Sequence, residues 1–109
     1  MSTLESYSLE RPDETDPRAV AAKAAGVPDP IKIIIKGQAF FIRAVDPTIM
    51  IGELELKDFE ILSDLETIIG YLYETPTEGA IITLDYGAGV PAEMPEPFTI
   101  TKLPGGGVG

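Results

Sequence analysis

The 109 residues include no cysteine, no histidine and no tryptophan. Without cysteine there is no disulfide staple, no thiolate nucleophile and no zinc–sulfur site. Without histidine the commonest general base and metal ligand is missing, and a Ser-His-Asp triad is impossible. No apolar run approaches the roughly 18 residues of a membrane span. The N-terminal stretch is acidic and polar, unlike a signal peptide. Basic residues are scarce, with 8 Lys and Arg against 18 Asp and Glu, a formal charge of −10. Nucleic acid and anionic membranes both require basic surface, so neither is expected as a partner. Acidity has a second, plainer meaning, since net charge keeps a small protein in solution.

What is present begins with a long, weakly patterned N-terminus. Residues 1–30 read as an arm outside the core. Within it, "TDPRAVAAKAAG" predicts a short helix with Asp16 as N-cap, Pro17 in the first turn and Gly26 at the C-terminus. Val20, Ala21 and Ala24 fall on one side of it. So short a helix is unstable alone and is expected to form by docking.

Residues 31–103 read as the compact domain. "IKIIIKGQAFFIRAV" predicts a β-hairpin, with Gly37-Gln38 as the turn and Ala39 to Val45 as the second strand. Phe40 and Phe41 are adjacent, so one ring points to the core and the other outward. In "TIMIGELELKDFEI" Leu54 and Leu56 alternate with charged residues, which favours a strand and leaves an amphipathic helix as the rival. "LSDLETIIGYLYETP" predicts a helix: Ser63 and Glu66 match a capping box, and Leu65, Ile68, Ile69 and Leu72 form an i, i+3, i+4, i+7 stripe. Strands follow at Ala80 to Tyr86 and at "FTITKL". They are separated by a proline-rich crossing that is expected to run extended over the surface. The expected class is α+β: one small antiparallel or mixed sheet of four to five strands, one packed helix, an N-terminal arm and a glycine-rich tail at 104–109.

The charges are uneven. Residues 31–45 carry Lys32, Lys36 and Arg43 and no acid. Residues 53–78 carry eight acids against Lys57. Such patches suit head-to-tail stacking of copies, or they are simply a solvated acidic face. The carboxylates Glu53, Glu55, Asp58 and Glu60 lie too much among other acids to suggest acid–base chemistry. They also lack a calcium-loop spacing. Of the serines, Ser2, Ser6 and Ser8 lie in the arm and Ser63 reads as a cap. No catalytic residue, metal site or cofactor is expected, and the chain reads as non-enzymatic.

Two family resemblances carry functional implications. "IKIIIKGQAFFIRAVDP" resembles the leading hairpin of small virion structural and tail-assembly proteins of tailed bacteriophages. That resemblance implies a structural or assembly protein in the virion, or in the host cytoplasm before assembly. Its partners would be other particle subunits and copies of itself. Val20 and Ala24 would then latch the arm to a neighbour, and Phe40, Phe41 and Arg43 would form the contact face of the hairpin. The second resemblance is to ubiquitin-like β-grasp carriers. It rests on "IKIIIKG", "AFFIRAV", "DLETIIGYLYE" and "AIITLDY" and implies a carrier or adaptor with a processed end at Gly106 and Gly107.

Overall fold

Strands dominate the chain, and they pair in two separate antiparallel sheets. A computed structural model describes residues 2–41, 46–87 and 89–104. The first sheet has the order β1 (Thr3–Glu10), β2 (Ile31–Gln38), β6 (Thr67–Leu72) and β5 (Asp58–Ile61). The second has the order β4 (Leu54–Glu55), β3 (Thr48–Ile51), β7 (Ile82–Asp85) and β8 (Ala92–Glu93). One helix, α1 (Pro17–Ala25), and a 3-10 turn (Ile100–Lys102) complete the elements among the described residues. The molecule is thus a small α+β globule with principal extents of 41 × 29 × 21 Å. The expected single sheet is corrected to two sheets that share one core.

The core lies between the inner faces of the sheets. Alternation along β2 sends Ile33 and Ile35 inward, and Tyr7, Ile68 and Leu72 join them from the neighbouring strands. The second sheet contributes Ile49, Ile51, Ile82 and Leu84. Each such side chain, fully buried, contributes about 1.5–3 kcal/mol relative to exposure. Met94, Phe98 and Leu103 of the C-terminal segment close one side of the core. That segment is not a simple surface crossing. It contains β8, and Phe98 N–H donates to the Ala80 carbonyl at 2.8 Å while Gly79 N–H donates to that of Phe98 at 2.8 Å. The expected final strand is a 3-10 turn instead.

The N-terminus is not wholly an arm. Its first third is an edge strand with Leu4 and Tyr7 buried in the core. A register shift between Leu4 and Ser6 places both on one face although they lie three residues apart. This bulge hides the strand from a search for strict alternation. The Tyr7 hydroxyl donates to the Pro97 carbonyl at 2.9 Å and accepts from Thr99 N–H at 3.0 Å. The ammonium of Lys102 stands 4.2 Å from the centroid of the same ring. The two ends of the described chain are therefore tied through one tyrosine.

Two further expectations change. The predicted helix at 63–75 is β6, preceded by a tight turn from β5. Ser63 caps nothing there; Asp64 Oδ1 accepts from the N–H groups of Glu66 and Thr67 at 2.9 and 3.0 Å. Thr67, Ile68 and Ile69 are β-branched and suit a strand, and both β2 and β5 pair with this segment. Gly70 is where Leu56 packs, and a Cβ there would stand 2.6 Å from Leu56 Cδ2. The turn predicted within 31–45 is not at Gly37-Gln38, residues 39–41 are not in a strand, and residues 42–45 of the expected second strand lie outside the described residues. Gly37-Gln38 continue β2, whose partners are β1 and β6. A Cβ on Gly37 would overlap the Thr3 carbonyl oxygen and press on the Phe40 ring. Among the described residues β5–β6 and β3–β4 are hairpins, the latter turned by Gly52 at φ +64° followed by Glu53. Glycine at the first of two turn positions is the type II′ signature.

Candidate interaction surface

Helix α1 forms where the local signals place it. Asp16 accepts from Arg18 N–H at 2.9 Å, Pro17 opens the first turn, and Gly26 takes φ +72°. The end is a Schellman motif: Val27 N–H donates to Ala22 O at 3.0 Å and Gly26 N–H to Lys23 O at 3.2 Å. Ala19 and Ala22 face inward and are buried.

A polar network fixes this helix to the outer face of the first sheet. One transverse row crosses all four strands: Glu10, Lys32, Tyr71 and Asp58 are successive register partners. Lys32 pairs with Glu10 at 3.4 Å. Arg18 reaches from the helix to Asp58 with two hydrogen bonds, Nε to Oδ2 at 2.6 Å and a terminal N–H to Oδ1 at 2.9 Å. Its guanidinium lies 3.9 Å from the centroid of the Tyr71 ring. The Tyr71 hydroxyl donates to Asp16 Oδ2 at 3.0 Å, and that of Tyr73 to Asp58 Oδ2 at 2.8 Å. Asp16 therefore serves as helix cap and as anchor to the sheet.

The electrostatics follow from this geometry. The Arg18 hydrogen bonds, helped by Tyr73, hold the Asp58 carboxyl below its ordinary range. Hydrogen bonding to Asp58 raises Arg18 in turn. Burial and then Asp16 push Tyr71 upward, and loss of water around the hydroxyl where it meets Asp58 pushes Tyr73 the same way. A carboxylate held ionised by an arginine is the reverse of a general acid, which must keep its proton near neutral pH. Among the described residues no three acids converge to hold a metal ion. Every buried side-chain nitrogen or oxygen described has a hydrogen-bond partner.

What the network leaves outside on α1 is apolar but for Lys23. Pro17, Val20, Ala21 and Ala24 make up the outer side of α1 and are exposed, Val20 by 54%. Val27 and Tyr73, exposed by 55% and 64%, stand beside it. Val20 and Ala24 thus lie on the free face of a helix whose other face is docked on its own sheet. Phe40 is 1% exposed and belongs to the core, so its ring is not part of a contact face. Phe41 is the outward ring of the pair, stacked on Tyr86 with centroids 3.9 Å apart. Arg43 lies outside the described residues, as do Gly106 and Gly107. The basic residues of β2 do not form a separate patch. Lys32 is paired with Glu10, and Lys36 donates to Thr67 at 2.9 Å, both on the outer face of the same sheet.

Compared with known proteins, the chain matches no family model, no curated sequence and no solved structure. Among the described residues no helix is long and apolar enough to cross a membrane. The surface that sequence reasoning missed centres on Tyr73 and Val27. Helical spacing puts Tyr73 in a helix, whereas strand parity within β6 carries Tyr71 and the chain beyond it to the face under α1.

Proposed function

We propose that this chain is a non-enzymatic structural or assembly protein, a small component of a tailed-phage particle such as a decoration, neck or tail protein or a tail-assembly factor. It resides in the virion, or in the host cytoplasm before assembly. It docks to other subunits through the outer face of α1, with Phe41 as a second contact. The observation that carries this reading is the unusual division of α1. Its anchoring hydrogen bonds lie on the inner side, and its exposed positions are apolar apart from Lys23. A free helix on a soluble globule places charge outward, and a contiguous apolar surface marks an interaction site. The anchoring by Arg18 and Asp16 holds that surface in a fixed orientation, which lowers the ordering cost of association.

The test is co-sedimentation of the tagged full chain, expressed in the cell that carries its gene, through a density gradient. The expected result is wild type in particle fractions and the Val20→Asp variant at the top of the gradient. Wild type found only at the top, or both proteins together in the particle fractions, overturns the reading.

A further inference from the structure

Two grooves meet at Tyr73. The first, of about 600 Å³, runs beside the helix and is lined by Pro17, Ala21, Val27, Pro28 and Tyr73, with Arg18 and Asp58 joined at its floor. The second, of about 440 Å³, lies between the β3–β4 hairpin and the end of β6. Glu53, Glu55 and Glu74 line it and are exposed, and Lys57 is its one cation. Tyr73 lines both, so an apolar trough continues into an acidic one.

From this continuity we infer that the joined grooves bind a segment of a partner protein that carries apolar anchors at one end and Lys or Arg at the other. The inference rests on the assembly reading in taking the occupant to be protein. Charge selects the kind of protein. Arg18 is paired with the Asp58 carboxylate by two hydrogen bonds, so its charge is already offset and attracts an acidic ligand little. The three glutamates have only Lys57 to offset them. A second copy of this chain would bring a net charge of −10 against an acidic groove, a like-charge contact that costs rather than stabilises. An anionic lipid surface meets the same repulsion. A basic segment gains at both ends: its apolar side chains cover Val27, Ala21 and the Tyr73 ring, and its cations meet Glu53, Glu55 and Glu74.

The probe is a short synthetic peptide with leucines at one end and lysines at the other, compared with its twin in which each lysine is glutamate. Amide shifts of the full-length chain are followed during titration. The lysine peptide is expected to move Ala21, Val27, Tyr73 and Glu55. It should bind roughly tenfold tighter than the glutamate twin, the sum of three exposed ion pairs. That advantage should shrink as salt is raised. The double variant Glu53→Lys, Glu55→Lys should erase it, and Tyr73→Ser should weaken both peptides alike. Equal affinity for the twins, no shift with the lysine peptide, or shifts confined to another surface would overturn the inference. Sedimentation of the free chain adds one more arm: a dimer dissolved by Val27→Asp, a change within the groove, makes a second copy the occupant, which overturns this inference and leaves the assembly reading standing. Peptide binding as expected, with wild type absent from particles, does the opposite.

Discussion

Tyr7 and Arg18 both tie a segment of chain to the first sheet, one in the core and the other half in water. On the Tyr7 side the hydroxyl's hydrogen bonds join uncharged groups in a closed corner. The residue is 4% exposed, and its hydroxyl serves two backbone groups of the C-terminal segment. The Arg18–Asp58 side is charged, and the two side chains remain 36% and 32% exposed. Burial makes a lost hydrogen bond costly, because the abandoned partners cannot turn to water. Exposure makes an ion pair weak, because water and salt compete for both charges. The first tie therefore serves stability, and the second serves orientation of the helix and of the apolar face it carries.

Four experiments would break or sharpen that contrast. Tyr7→Ala removes a buried ring from the core and should cost about 3–5 kcal/mol, read from urea melts of the full chain. Tyr7→Phe keeps the ring and removes only the hydroxyl. The Pro97 carbonyl and Thr99 N–H lose their partner, and the expected cost is about 1–2 kcal/mol. A cost under a few tenths would mean that water reaches those groups and that the corner is not sealed.

Asp58→Asn should cost less, about 0.5 kcal/mol, given the exposure of the pair. Its pH dependence has a fixed sign. The folded-state pKa of Asp58 is depressed, so its contribution is present above the unfolded value of about 4 and is lost as pH falls through the folded value. Arg18 stays charged throughout. The gap between wild type and Asp58→Asn should hold steady above about pH 5 and close below about pH 4. A gap that persists in acid would assign the effect to packing. Smallest of all is Val20→Asp, which should leave the melt within about 0.5 kcal/mol of wild type, since the side chain is exposed. A large loss of stability there would mean that the outer face of α1 is covered by the protein itself.

The candidate surface was half legible. Val20, Ala21 and Ala24 read from sequence as one side of a helix, and helical spacing alone makes them so. Which side of that helix meets the sheet was not legible, because Arg18, Tyr71 and Asp58 find one another only after strands remote in sequence have paired. The same division separates Phe40 from Phe41. Adjacency says that the rings part company, and only the closing of the core says which of them is inside.

Local chemistry determined where α1 starts and stops, and docking on the first sheet holds it. Asp16, Pro17 and Gly26 act within a turn of the helix, and no distant residue is needed to start or stop it. Local chemistry also determined the strand from Ile31 to Lys36, though not its continuation through Gln38, and the class of the molecule and its acidity. Tertiary structure decided the rest. Residues 67–72 carry spacing compatible with a helical stripe and β-branched side chains compatible with a strand. Pairing with β2 on one side and β5 on the other settles them as strand, with Leu56 in the space that Gly70 leaves. Residues 3–10 look featureless because a bulge breaks their alternation, and the core that receives Leu4 and Tyr7 is built by residues from Ile33 to Leu103. Signals confined to one turn are written in the sequence itself, whereas strand pairing is a choice among partners that only the assembled core makes.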